Sequence, residues 1–192
     1  VRMADCSMEF EEGLDWYCEN GILKLTHKSR IPYMPEKELY PHEARDGWTQ
    51  PKIGGGYVLF HEEHFFHDRQ LAVTYKHAAD DWHGPIPEYA GQYLPETASK
   101  LKNRESLKVV LFGDSISVGA NASGVKGAYP YMPNWGRLFT MNLEKAYGSR
   151  LIFKNPSVGG KDSAWGAAHV KTLVADERPD LALIAFGMND GT

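Results

Sequence analysis

Cysteine is scarce: two residues in 192, Cys6 and Cys18. That excludes a disulfide scaffold and a four-thiolate zinc site, and leaves open one bridge or two free thiols. The compartment, secreted or cytoplasmic, stays open with them. No apolar run reaches the 18 or so residues that a membrane-spanning helix needs, so no membrane is expected as a partner. Basic residues are neither in excess nor clustered: 21 Lys and Arg face 25 Asp and Glu, for a net charge of −4. Phosphate binding needs grouped cations, so nucleic acid is not an expected partner either. No glycine-rich phosphate loop with a following Lys is present, and no His-Glu-x-x-His. What is abundant is apolar residues, 42%, and aromatics, 12%. That is enough for a packed core and speaks against disorder.

The chain begins at Val1 rather than Met, with no basic and then apolar leader. It stops at Thr192 directly after a buried-strand pattern, and a continuation past that point is expected.

Two regions follow different rules. Residues 1–93 hold 14 of the 23 aromatics and alternate short apolar runs with Gly and Pro. Ile22-Leu23-Lys24-Leu25, Tyr57-Val58-Leu59-Phe60 after three glycines, and Leu71 to Tyr75 read as strands. A small β-sandwich or jelly roll is expected there. Residues 94–106 read as a linker and charged helix, Glu96 to Arg104, with Pro95 at its start. From 107 to 192 strands and helices alternate. Lys108 to Phe112, Leu151 to Phe153 and Leu181 to Phe186 read as buried strands. Asn134 to Tyr147 reads as a helix with Trp135, Leu138, Phe139 and Leu143 on one face and Gly148 as its stop. A further helix is expected from Ser163, as its cap, to about Glu177. This alternation implies crossover units, a parallel sheet and an α/β fold.

Parallel α/β sheets bind ligands beyond the carboxyl ends of their strands. The residues there are Gly113-Asp114-Ser115-Ile116-Ser117, then Asn155 to Asp162 with Gly159-Gly160, then Gly187-Met188-Asn189-Asp190. They offer a hydroxyl, glycine N–H groups and a carboxamide. Acyl transfer needs these groups: a nucleophile to attack a carbonyl, and two or three fixed donors for the oxyanion that forms. Gly-Asp-Ser alone could be a plain turn whose Asp and Ser bond their own backbone. Finding all three strand ends furnished in this way favours a site.

These three blocks resemble the first three motifs of the SGNH hydrolases, also called GDSL esterases, over residues 107–192. The resemblance implies a flavodoxin-like three-layer domain, present here through its first three strands. It also implies Ser115 as nucleophile and, through its own N–H, as an oxyanion donor. Gly160 matches the second donor, with Gly159 the alternative. Asn189 matches the side-chain donor, and Asp114 and Asp190 match loop-supporting neighbours. No metal or cofactor is implied. The nucleophile is not in a Gly-x-Ser-x-Gly elbow, because Ser117 stands at the final glycine's place. The family's Asp-x-x-His block, which supplies the general base, has no counterpart in these 192 residues. The chain alone is therefore expected to lack its catalytic His and Asp, with a further C-terminal segment to complete it.

An aromatic β region ahead of such a domain resembles two-domain carbohydrate acetylesterases. That implies a serine esterase removing acyl groups, acetyl first, from carbohydrates, with Trp48, Trp82, Tyr89 and Tyr93 as candidates to stack on sugar rings. At least half of these aromatics are expected in the core instead. A lipid or small-ester esterase, a glycan-binding module without catalysis, and a metal-dependent phosphoesterase using Asp114 and Asp190 are the alternatives. His169 is expected to be an ordinary helix residue. His61, His64, His67, His77 and His83 lie in the N-terminal region. His61-Glu62-Glu63-His64-Phe65-Phe66-His67-Asp68 is expected to be a hairpin connection rather than a metal site.

Overall fold

The computed structural model describes residues 1–78, 81 and 83–191; Trp82, singled out above as a stacking residue, lies outside them. The chain falls into two compact units, Val1–Ala79 with Lys126–Pro130, and Asp80–Val125 with Tyr131–Thr192.

The first unit contains β1 (Arg2–Met3), β2 (Trp16–Glu19), β3 (Ile22–Leu25), α1 (Glu36–Leu39), β4 (Thr49–Pro51), β5 (Tyr57–Leu59) and β6 (Leu71–Ala72). Among the described residues three separate antiparallel ladders form, β1 with β6, β2 with β3 and β4 with β5. The sandwich or jelly roll expected for residues 1–93 is not what the described residues build. The reason is strand length: ladders of two to four residues, with half of their side chains exposed, cannot present a continuous apolar face. Asn20-Gly21, both at positive φ, closes the β2–β3 hairpin, a dipeptide whose left-handed backbone suits a two-residue turn.

A buried charge does part of the work that a larger apolar core would do. The Asp15 carboxylate is fully buried. It accepts from the Arg30 guanidinium at 2.9 and 2.5 Å and from the backbone N–H groups of Arg30 and Glu11, each at 2.9 Å. Those donors hold its pKa far below the ordinary carboxylate range, the Arg30 side chain foremost. Both cysteines are free and exposed. The His61–Asp68 stretch runs from β5 into a short 3₁₀ turn, His67–Arg69, ahead of β6. Among the described residues, no group of three or more His, Cys, Asp or Glu is arranged to hold a metal ion.

The second unit contains α2 (Pro95–Lys102), β7 (Leu107–Gly113), α3 (Ser115–Val118), α4 (Ser123–Lys126), α5 (Trp135–Tyr147), β8 (Leu151–Lys154), α6 (Ser163–Leu173) and β9 (Leu181–Ala185). The three strands form one parallel sheet in the order β8-β7-β9. β7 is central, and Leu107, Val109, Val110, Leu111 and Phe112 are fully buried in it. This is the strand that reads as an uninterrupted apolar run, as burial on both faces requires.

The chain steps from β7 to one neighbour and then crosses back to the other. Right-handed crossovers therefore place α5 and α6 on opposite faces. Leu143 of α5 and Leu101 of α2 pack with Leu107, Val109 and Leu151. Trp165 and Leu173 of α6, with Val174, pack on Val110 and Phe112. Among the described residues, no helix is long and apolar enough to cross a membrane.

Two local expectations are corrected. Asp162, not Ser163, caps α6, its carboxylate accepting from Trp165 N at 2.7 Å. α6 ends at Leu173, and residues up to Glu177 form a 3₁₀ turn instead. On α5 the buried positions are Gly136 and Thr140, while Trp135 is left 38% exposed. Gly136 lets the helix backbone settle on the sheet, since a Cβ there would lie 2.5 Å from Leu111 Cδ2.

Ion pairs tie the amino-terminal side of the sheet together. Glu177 bonds Lys108 Nζ at 2.6 Å and Lys154 Nζ at 2.7 Å, and Asp180 bonds Lys100 Nζ at 2.5 Å. Hydrogen bonds from the two lysines, Lys108 first, lower the Glu177 pKa to about 2. The Lys100 ammonium and the Lys108 N–H lower that of Asp180. A depressed carboxylate stabilises the fold above its unfolded pKa, and that stabilisation is lost as pH falls through the folded value. Thermal stability should therefore drop between about pH 4.5 and pH 2, and Glu177→Gln should flatten that drop in melts run across the window. An unchanged profile would show that the pairs contribute nothing.

Candidate active site

Each parallel strand ends in a loop, and hydrogen bonds join the three loops at one edge of the sheet. At the end of β7, Gly113 has no room for a side chain. A Cβ there would lie 2.2 Å from the Ala185 carbonyl oxygen and 2.4 Å from Ser117 Oγ. Glycine lets β9 and the first turn of α3 close over the strand end. Asp114 is buried and caps α3, accepting from Ile116 N at 2.9 Å. Ser115 is the first residue of that short helix and is half-buried. A first-turn N–H has no partner within its helix, so Ser115 carries a hydroxyl and a backbone donor at the same point.

The loop after β8 is bonded to the one after β7. Asn155 Nδ2 donates to Ser117 O at 2.8 Å, and Val158 N donates to Gly113 O at 3.0 Å. These bonds bring the glycine pair to Ser115. A Cβ on Gly159 would stand 3.6 Å from Ser115 Cβ; one on Gly160 would meet nothing within 4 Å, but Gly160 lies at φ +72°. Gly159 is thus the residue beside Ser115, and Gly160 is the one that turns the chain. Gly160→Ala should cost roughly 1 kcal/mol in melting experiments, from backbone strain alone. Gly159→Ala should leave the melt unchanged, because its methyl would make only an ordinary van der Waals contact with Ser115 Cβ.

The loop after β9 is tied to the β8 loop in turn. Asn189 Nδ2 donates to Lys161 O at 2.9 Å, which fixes the plane of its carboxamide. Asp190 accepts from Ser163 N at 2.7 Å. Asp114 and Asp190 each commit an oxygen to a backbone N–H and so hold loops in shape.

His169, His61, His64 and His77 have local partners, while the buried His67 Nδ1 has no hydrogen-bond partner among the described residues. His169 Nδ1 lies 2.8 Å from Trp165 O, and its ring stacks on Trp165 with centroids 4.3 Å apart. His61 packs on Trp48 with centroids 3.8 Å apart and the rings tilted by 32°, His64 sits beside Asp68, and His77 Nδ1 bonds Ala78 O. His83 is exposed.

Asn155 and Trp135 escape sequence reasoning. Asn155 stands two residues before Ser157 in a loop read for its glycines, and nothing in its local pattern marks a bond to Ser117. Trp135 has helical spacing with Leu138 and Phe139, which points to the core. It instead lines a cavity of about 300 Å³ together with Ser115, Ile116, Ala120 and Ala122.

Known proteins with similar chains are esterases. The chain is 33% identical over 84 residues to "Esterase TesA" of Pseudomonas aeruginosa, an alignment covering 43% of this chain and 37% of that protein. The chain thus spans about a third of the length of the curated relative it matches. Among solved structures, a two-domain esterase active on acetylated mannans, co-crystallised with mannopentaose, aligns over 52% of this chain and 26% of its own, at 23% identity and a TM-score of 0.45. A crystal structure of TesA aligns over 44% and 42%, at 30% identity and a TM-score of 0.34. Both scores lie below the level that shows a shared fold. No family model matches the chain.

Proposed function

We propose that the second unit carries the nucleophile and oxyanion hole of a serine esterase. The observation that carries this reading is the linkage of three loops: Ser115 touches the Gly159 position, and the Asn189 loop is bonded to the glycine loop through Lys161. In the proposed reaction Ser115 Oγ attacks the ester carbonyl carbon and its proton passes to a general base. The oxyanion is held by the N–H of Ser115, a glycine N–H and the Asn189 amide. The alcohol then leaves with that proton, and water hydrolyses the acyl-enzyme to release the acid. His169 is not assigned as the base, since its Nδ1 faces a carbonyl within its own helix.

The alcohol is proposed to be a carbohydrate and the acyl group acetyl. Support comes from exposed aromatics on the second unit: Tyr89 is 64% exposed and Tyr93 78%. Exposed rings of this kind stack on sugar faces, although more of them were expected in the core. A phosphoesterase using Asp114 and Asp190 is disfavoured, because both carboxylates are already engaged by backbone N–H groups.

The test is ester hydrolysis by the complete protein with and without Ser115→Ala, in the presence and absence of a chelator. The reading predicts turnover that is lost with Ser115 and unaffected by the chelator. Turnover that survives Ser115→Ala, or vanishes with the chelator, would contradict it.

A further inference from the structure

A second cavity of the second unit, of about 430 Å³, lies along α2 and falls in the size range of ordinary ligand pockets. One wall is a helix face. Pro95, Ala98, Ser99 and Lys102 line it at helical spacing, on the side of α2 turned away from the buried Thr97 and Leu101. Tyr89 and Gly91 form the facing wall. Tyr89 is 64% exposed, yet its ring has a fixed seat. A Cβ on Gly91 would stand 2.0 Å from Tyr89 Oη and 2.2 Å from Cζ. Gly91 is not among the glycines at positive φ, so the ring rather than the backbone requires glycine there. An exposed ring held in this way loses little freedom when a ligand covers it.

The polar groups around the ring are unengaged. Among the described residues the side chains of Gln92, Ser99 and Lys102, all on the lining, have no partner. Asn103 Nδ2 donates to Glu105 Oε1 at 3.2 Å, which leaves its Oδ1 as an acceptor. The cavity is also apart from Ser115. Thr97 Oγ1 donates to Asp180 O at 2.9 Å and Lys100 pairs with the Asp180 carboxylate, just ahead of β9. α2 therefore lies at the amino-terminal edge of the sheet, whereas Ser115 follows the carboxyl end of β7. The seven residues of β7, at about 3.3 Å each, put roughly 20 Å between the two edges.

We propose that this cavity binds a sugar ring of a polysaccharide and so anchors the polymer away from the point of hydrolysis. The link to hydrolysis rests on the carbohydrate reading above. A pyranose has an apolar C–H face for an aromatic ring and a rim of hydroxyls for amide, hydroxyl and ammonium groups, and the lining offers one of the first and several of the second. At about 30 Å³ for each water-sized group the cavity has room for roughly fourteen, and a hexose unit has about twelve non-hydrogen atoms. A purely apolar ligand would leave Gln92, Ser99 and Lys102 covered without partners, which is costly. A phosphorylated one calls for grouped cations, and on this lining the cation is Lys102.

The test is affinity electrophoresis of the complete protein carrying Ser115→Ala, which by the proposed mechanism cannot remove acetyl groups. The native gels contain soluble xylan or mannan, each acetylated and deacetylated. Retardation by at least one polysaccharide in both forms is expected, because the cavity meets the ring and its hydroxyls rather than the acetyl group. Adding Tyr89→Ala should weaken that retention roughly three- to ten-fold, the worth of one aromatic contact. Gly91→Ala should weaken it to a similar degree although no ring atom is lost, since its methyl unseats Tyr89. If one variant fails to fold, the other still decides. Retention unchanged in the folded variants, or confined to acetylated chains, overturns this site and leaves the carbohydrate reading standing. Retention by neither polysaccharide, in a protein whose Ser115 form hydrolyses simple esters, overturns the site and the carbohydrate alcohol together and leaves the esterase.

Discussion

Asn189→Ala is expected to lower ester hydrolysis by the complete protein about 10²–10³-fold, the usual cost of one oxyanion-hole donor. The loss should fall on kcat, with KM changing by no more than a few-fold. The proposed bond to the oxyanion strengthens as the carbonyl oxygen gains charge, so removing it raises the barrier more than it weakens ground-state binding. The same carboxamide also holds the Lys161 carbonyl, so a purely structural part for Asn189 must be separated from a chemical one. Structural loss alone would lower the melting temperature and scatter into KM as the glycine loop relaxes. A stable variant with intact kcat would remove Asn189 from the mechanism.

Gly113→Ala is the second large effect. The added methyl would sit 2.2 Å from a backbone carbonyl on β9 and 2.4 Å from Ser117 Oγ, which is itself fully buried. The carbonyl belongs to a hydrogen-bonded strand and cannot swing away like a flexible side chain. Either β9 separates from β7 at its carboxyl end or α3 is displaced, and both carry site residues. Overpacking of a buried position costs up to about 3 kcal/mol, occasionally more. For a unit of this size that lowers the melting temperature by ~10 °C. Activity should fall with it, because Ser115 and the Asn189 loop are the groups pushed apart. A melt within 2 °C or so of the parent would show that the strand end has slack that the packing does not suggest.

How far the sequence could be read depended on the range of the interactions. The second unit's strands declare themselves because β7 is buried on both faces and must be apolar throughout. Its helices declare themselves through Gly148 and Asn134, whose roles are local: Asn134 Oδ1 caps α5, and Gly148 takes φ +70° to end it. Ser115 and Asn189 are visible because strand ends in a parallel sheet face one edge whatever their order in the chain. The first unit was misread because aromatics and glycine punctuation do not report strand length. Its buried anchor, Asp15 with Arg30, joins residues 15 apart and leaves no periodic trace. Trp135 was assigned to the core by its spacing, but it is 38% exposed and lines the cavity beside Ser115. Only Gly160 of the pair takes a positive φ, a difference that the doubled glycine conceals in the sequence.

Fluorophosphonate labelling of the complete protein, followed by peptide mapping, tests the nucleophile most directly. The reagent reacts with a serine only where a base and an oxyanion hole activate it. A single phosphonyl adduct on Ser115, blocked by ester substrate and absent in Ser115→Ala, is the predicted result. An unlabelled Ser115 in protein that still hydrolyses esters, or an adduct on a different serine, would contradict it.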